Sequence, residues 1–196
     1  PGPFTLEVTV RYWYDTEFLE DGRLIDLISI GIVCEDGREY YAVAADAPWS
    51  RVAYHPWLCE HVVPFLPLET HPRPAVGGGM HFIVDRRSEA VKPERQIAGE
   101  VAQFLSAPEG DSVELWAYFG AYDHVVLNQL WGPMIQHPEH LPMYSNDLMQ
   151  EVRRLGVDTA HLPRQAAGKH HALADARHNR VMWEWLRDYR PEDWTD

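Results

Sequence analysis

Two spacings of apolar residues alternate along the chain, and each change of spacing marks an element. Residues 6–14 are rich in Val, Thr and aromatic side chains and read as a first strand. A turn signal at Glu20-Asp21-Gly22-Arg23 leads into residues 24–33, β-branched with apolar residues on both faces, as in a central strand. Asp36-Gly37 is a hairpin signal, and residues 39–44 form a third strand, so the first three strands predict an antiparallel meander. Residues 48–68 are mixed, with short helices around Trp49 and over residues 57–63. The prolines and glycines of residues 71–79 predict a loop.

Helical spacing begins after Pro93, with Ile97, Val101, Phe104 and Leu105 on one face, and ends at Pro108-Glu109-Gly110. Residues 112–118 read as a strand, 121–131 as a helix and 141–144 as a short strand. Residues 146–155 form a helix with Ser145 as N-cap and Gly156 beyond its C-terminus. A loop over 157–169 precedes a last helix over 171–189 and a tail from 191. Three meander strands followed by alternating helix and strand predict an α/β fold, a mixed sheet with helices on its faces.

At 196 residues and 45% hydrophobic, one domain spanning 1–196 is expected, with residues 1–5 a flexible start or tag remnant and 190–196 a tail. Cys34 and Cys59 are too few for a disulfide framework and suit a reduced, cytoplasmic protein. The start lacks a signal-peptide pattern, and no stretch has transmembrane length. A formal net charge of -13 argues against sequence-blind binding along a nucleic-acid backbone, but not against gripping a strand end through bound cations.

The candidate chemistry lies in carboxylates at apolar positions. Asp15 and Glu17 follow the aromatic run Tyr12-Trp13-Tyr14; alternation puts them on one strand face with Arg11 and Trp13, about 7 Å apart. Such carboxylates are expensive to desolvate unless a cation or proton neutralises them. Asp123 precedes Val126, Leu127, Leu130 and Trp131 by helical intervals and so projects from their apolar stripe. Asp175 aligns in the same way with Asn179, Met182 and Leu186. Two arrangements compete around it. In one, His171, Asp175 and His178 form a zinc-holding face. In the other, Asp175 joins Asp15, Glu17 and Asp123, with a histidine ahead of the helix as base; His171 and His178 are then an ordinary solvated face. Four converging carboxylates with open positions suit two Mg²⁺ or Mn²⁺ ions rather than zinc, as in phosphodiester hydrolysis.

Asp15-Thr16-Glu17, Asp123 within Trp116-Ala117-Tyr118-Phe119-Gly120-Ala121-Tyr122-Asp123, and His170-His171-Ala172-Leu173-Ala174-Asp175 resemble the three motifs of DEDDh-class 3′-5′ exonucleases. The stretches at 27–31, 35–43, 120–124 and 130–134, the last two holding Gly-Ala-Tyr-Asp-His and Leu-Trp-Gly-Pro-Met, narrow the resemblance to the polyadenylate-specific 3′-exoribonuclease AS family of actinobacteria. That resemblance implies a ribonuclease H-like fold, metal ligation by Asp15, Glu17, Asp123 and Asp175, and His170 as general base. It also implies Thr16, Phe18 and Leu19 against the terminal nucleotide, single-stranded A-rich RNA 3′ ends as substrate, AMP as product and a homodimer. A DNA or short-oligonucleotide exonuclease of the same fold, and a non-catalytic RNA-end-binding module, are the alternative readings.

Overall fold

The computed structural model describes residues 8–190, so the expected start, most of the tail and the first residues of strand 6–14 lie outside the described residues. The main sheet has six strands: β1 (Thr9–Glu20), β2 (Ile25–Cys34), β3 (Glu39–Ala44), β6 (Val91–Lys92), β7 (Ser112–Ala117) and β8 (Asn146–Asp147). Their order is β6-β3-β2-β1-β7-β8. β1, β2 and β3 pair antiparallel, while β6, β7 and β8 join in parallel. This is the expected mixed ribonuclease H-like sheet. β2 is buried from Leu27 through Cys34, which its run of apolar residues on both faces requires of a strand covered on both sides.

The helices divide between the two faces. On one, α3 (Glu94–Phe104) and α4 (Ala121–Gln129) bury Ile97, Val101, Val126 and Leu127 against Tyr12, Tyr14, Ile30 and Ile32. On the other, α6 (Ala172–Asp188) packs on β1 and β2, and Trp183 meets Trp13 edge-on at 5.3 Å. α5 (Leu148–Leu155) lies beside α6, with Leu148 and Val152 against Met182 and Leu186. The short helices α1 (Trp49–Val52) and α2 (Pro56–His61) cover a third cluster containing Ile28, Val43 and Val63. Among the described residues, no helix is long and apolar enough to cross a membrane.

Four expectations are corrected. β1 does not stop at Tyr14: its ladder with β2 continues through Glu20, with an irregularity between Glu17 and Phe18. The carboxylates therefore stand within the ladder and not beyond its end. Residues 71–79 are only partly loop, because β4 (Leu68–Pro74) and β5 (Met80–Val84) form a separate two-stranded ribbon. Residues 141–144 are not a strand, as Pro142 has no ladder donor; the pairing falls on Asn146 and Asp147 opposite Trp116 and Ala117. Asp147 replaces Ser145 as the cap of α5, its carboxylate accepting from the Met149 N–H at 2.7 Å.

Gly31 decides where α6 can lie. A Cβ there would run into the backbone of Ala172 and Leu173, in the first turn of α6. Gly31 is also the ladder partner of Asp15, so the missing side chain lets Asp175 come down beside Asp15. Gly31→Ala is expected to destabilise the protein by about 3 kcal/mol, at the upper end of overpacking effects, and to depress activity more than tenfold. Thermal melting and turnover check this; an unchanged melting temperature would show that the helix is not seated on the glycine.

Candidate active site

β1 supplies Asp15, Thr16 and Glu17, α4 supplies Asp123, the turn into α6 supplies His170 and the first turn of α6 supplies Asp175. All six line one open cleft of about 670 Å³. The carboxylates are individually braced. Asp123 Oδ1 accepts from the Thr16 N–H at 2.8 Å and from its hydroxyl at 2.6 Å, which sets Asp123 against the strand. Thr16 is buried and so acts first on Asp123. Asp175 accepts from the Gln165 amide at 2.6 Å on Oδ1 and from the His170 N–H at 2.8 Å on Oδ2. Asn179, one turn further along α6, is buried and donates to the Tyr14 carbonyl at 2.9 Å, pinning the helix to β1.

His170 has φ 66°, a left-handed conformation uncommon outside glycine. The tight turn Gly168–His171, closed by the His171 N–H to the Gly168 carbonyl, and the bond to Asp175 hold it there. Its ring meets Trp57 edge-on at 4.8 Å and lies 5.7 Å from His61, so α2 walls in the imidazole. Burial lowers its pKa below the ordinary value. The Asp175 charge opposes that shift, and His61 and Lys169 add to it.

The carboxylates disfavour one another's charge. Burial, then Asp175 and Asp123, push Glu17 up to about 8. Burial raises Asp15 well above the usual carboxylate range, with Asp123, Glu17 and Asp175 all adding to it. Burial also raises Asp123, against the pull of its two Thr16 bonds. One ligand atom each from Glu17, His170 and Asp175 lie within 4.8 Å of one another. A buried, oxygen-rich set that repels itself fits hard divalent cations, which would relieve the repulsion.

The alternative zinc face is not assembled. His171 caps α6, its Nδ1 accepting from the Ala174 N–H at 3.4 Å, and stacks on Tyr41 at 4.6 Å. Among the described residues, His171, Asp175 and His178 do not form a metal-capable group, though His178 lines the cleft. Phe18 lines the cleft and stacks on Tyr122 at 5.9 Å with planes 7° apart. Leu19 shares the strand face of Asp15 and Glu17 but lies further along β1 and does not line the cleft: it is buried at 4% exposure in the cluster under α2. Sequence reasoning missed Gln165, Trp57 and Asp147, whose carboxylate also accepts from the Gly120 N–H at 3.1 Å ahead of α4. Asp147 could have been found as a capping residue; Gln165 and Trp57 carry no periodic signal.

The profile of the 3′-5′ exoribonuclease Rv2179c-like domain matches residues 82–186, which include Asp123, His170 and Asp175. Two curated proteins of Mycobacterium tuberculosis are similar over a longer span. The 3′-5′ exoribonuclease Rv2179c (strain ATCC 25618 / H37Rv) is 42% identical over 168 residues, 86% of this chain and 88% of the relative. The 3′-5′ exoribonuclease MT2234.1 (strain CDC 1551 / Oshkosh) shows the same identity and coverage.

Proposed function

Because the chain belongs to the Rv2179c-like 3′-5′ exoribonuclease family, we propose that it is a metal-dependent enzyme that shortens RNA from the 3′ end, with a preference for polyadenylate tails. The observation that carries the reading is the meeting of Asp15, Glu17, Asp123 and Asp175 with His170 in one cleft. The four carboxylates would hold two Mg²⁺ or Mn²⁺ ions, in the manner of DEDDh-class nucleases. Bound there, such ions supply Lewis acidity toward the attacking water and the leaving 3′ oxygen.

The chain's own residues do the rest. Thr16 keeps Asp123 aimed into the cleft, and Gln165 with the His170 N–H does the same for Asp175. His170, kept neutral by burial, takes the proton of the attacking water. Phe18, backed by Tyr122, offers a face for the terminal base. Each cycle releases a nucleoside monophosphate, AMP from an adenylate tail. With His170 as base and Mg²⁺ saturating at every pH, activity has an acid limb below the ordinary histidine value of 6.5, and His170→Ala removes that limb. A rate profile in which His170→Ala keeps the limb would reassign it.

The test is a product ladder from 5′-labelled RNA with an oligo(A) 3′ end, beside mixed-sequence RNA and matching single-stranded DNA, with Mg²⁺ and then EDTA. Stepwise shortening of the A-tailed RNA alone, lost in EDTA, is expected. Equal shortening of all three keeps the chemistry and removes the adenylate preference. No shortening with Mg²⁺ or Mn²⁺ leaves an RNA-end-binding protein.

A further inference from the structure

We propose that a second hollow beside the cleft takes the third nucleotide from the 3′ end, next upstream of the pair that spans the scissile bond, with Lys169 holding the phosphate that joins it to the second. This rests on the exoribonuclease reading above. The hollow has a volume of about 530 Å³ and is walled by Glu60, His61 and Phe65 on one side and by residues 165–170 on the other. Gln165, Lys169 and His170 also line the catalytic cleft, so this segment is a ridge shared by both spaces.

The charges and rings say which part of a strand goes where. Lys169 is exposed and has no hydrogen bond or ion pair among the described residues. Among the described residues that wall the hollow, it is the one Lys or Arg, in a chain of net charge -13. Glu60, its carboxylate 4.0 Å from His61 and 76% exposed, opposes a phosphate on the far wall. A phosphate therefore sits on the ridge at Lys169 and leaves the base to enter the hollow. There Phe65, 43% exposed and without a ring partner among the described residues, presents an open aromatic face. Every base has a matching π-face, so a ring in that position accepts single-stranded nucleic acid whatever its sequence.

The experiment compares kcat/KM for an oligo(A) dinucleotide and hexanucleotide with Mg²⁺, in wild type, Phe65→Ala, Phe65→Tyr and Lys169→Ala. The hexanucleotide is expected to be the better substrate of wild type. Phe65→Ala should cut its advantage about tenfold, as loss of a stacking platform does, and Phe65→Tyr should restore it. Lys169→Ala should also cut the advantage, and lower the slope of log(kcat/KM) against log salt on the hexanucleotide by about 0.7, one phosphate contact. Equal losses on both lengths, or an unchanged ratio, overturn the proposal. If wild type hydrolyses neither length, the functional reading fails instead, and binding of the labelled hexanucleotide decides the hollow. A Kd raised about tenfold by Phe65→Ala then supports it, and an unchanged Kd overturns it.

Discussion

Asp15→Asn is expected to lower RNA hydrolysis by at least about a thousandfold while leaving the fold intact. The change keeps the shape of the side chain on the β1 ladder opposite Gly31 and removes one of the four charges that would hold the cations. Metal stabilisation of the transition state is worth several kcal/mol, and each 1.36 kcal/mol is a factor of ten in rate. Because burial and three neighbouring carboxylates disfavour the charge on Asp15, the metal-free variant should melt at or above the wild-type temperature. His170→Ala separates base from ligand. As a base its loss lowers the rate by about 10²–10⁴-fold but leaves the stabilisation by Mg²⁺ in place. Although its ring nitrogen lies within 4.8 Å of Glu17 and Asp175 ligand atoms, the base role holds only if that stabilisation survives. Wild-type turnover by Asp15→Asn would remove the site assignment altogether.

The second large effect is a pH-dependent response to divalent metal. The Glu17 pKa is raised by folding, from 4.5 to about 8. Between those values the folded protein holds a proton that the unfolded chain has released. The resulting stability is fully present below pH 4.5 and lost as pH rises through about 8. The metal-free protein should therefore melt at a lower temperature at pH 8 than at pH 5.5. Cations bind the deprotonated carboxylates, so Mg²⁺ or Mn²⁺ should stabilise far more at pH 8. At a hundredfold excess over Kd the gain is about 2.7 kcal/mol, about 5–10 °C for a chain of this size. Glu17→Gln should flatten the metal-free pH dependence and blunt the metal response. Differential scanning calorimetry across this pH range with and without metal decides it, and an equal metal shift at both pH values would mean that proton release is not linked to binding.

Local patterns in the sequence reveal most of the elements and mark the candidate carboxylates. Period-2 and period-3.6 patterns are local, so β2, β3, α3, α4 and α6 were legible to within a few residues. Asp123 and Asp175 stood out because a charge on an apolar helical stripe is visible from spacing alone, and Asp123 is indeed buried beside Val126 and Leu127. Tertiary structure decided what depends on contacts between distant segments. It carried β1 past Tyr14, because the pairing with β2 continues whatever the side chains prefer. It sank Leu19 into the core, since α1 and α2 with Val52, Leu58 and Val62 close over that end of the strand face. It set apart the two histidines that the resemblance distinguishes only by their distance from Asp175: the αL turn at His170 and the seat of α6 on Gly31 bring one ring to the cleft and stack the other on Tyr41. Two adjacent histidines have the same chemistry in the sequence. Only the path of the backbone between them gives one the cleft and the other a cap.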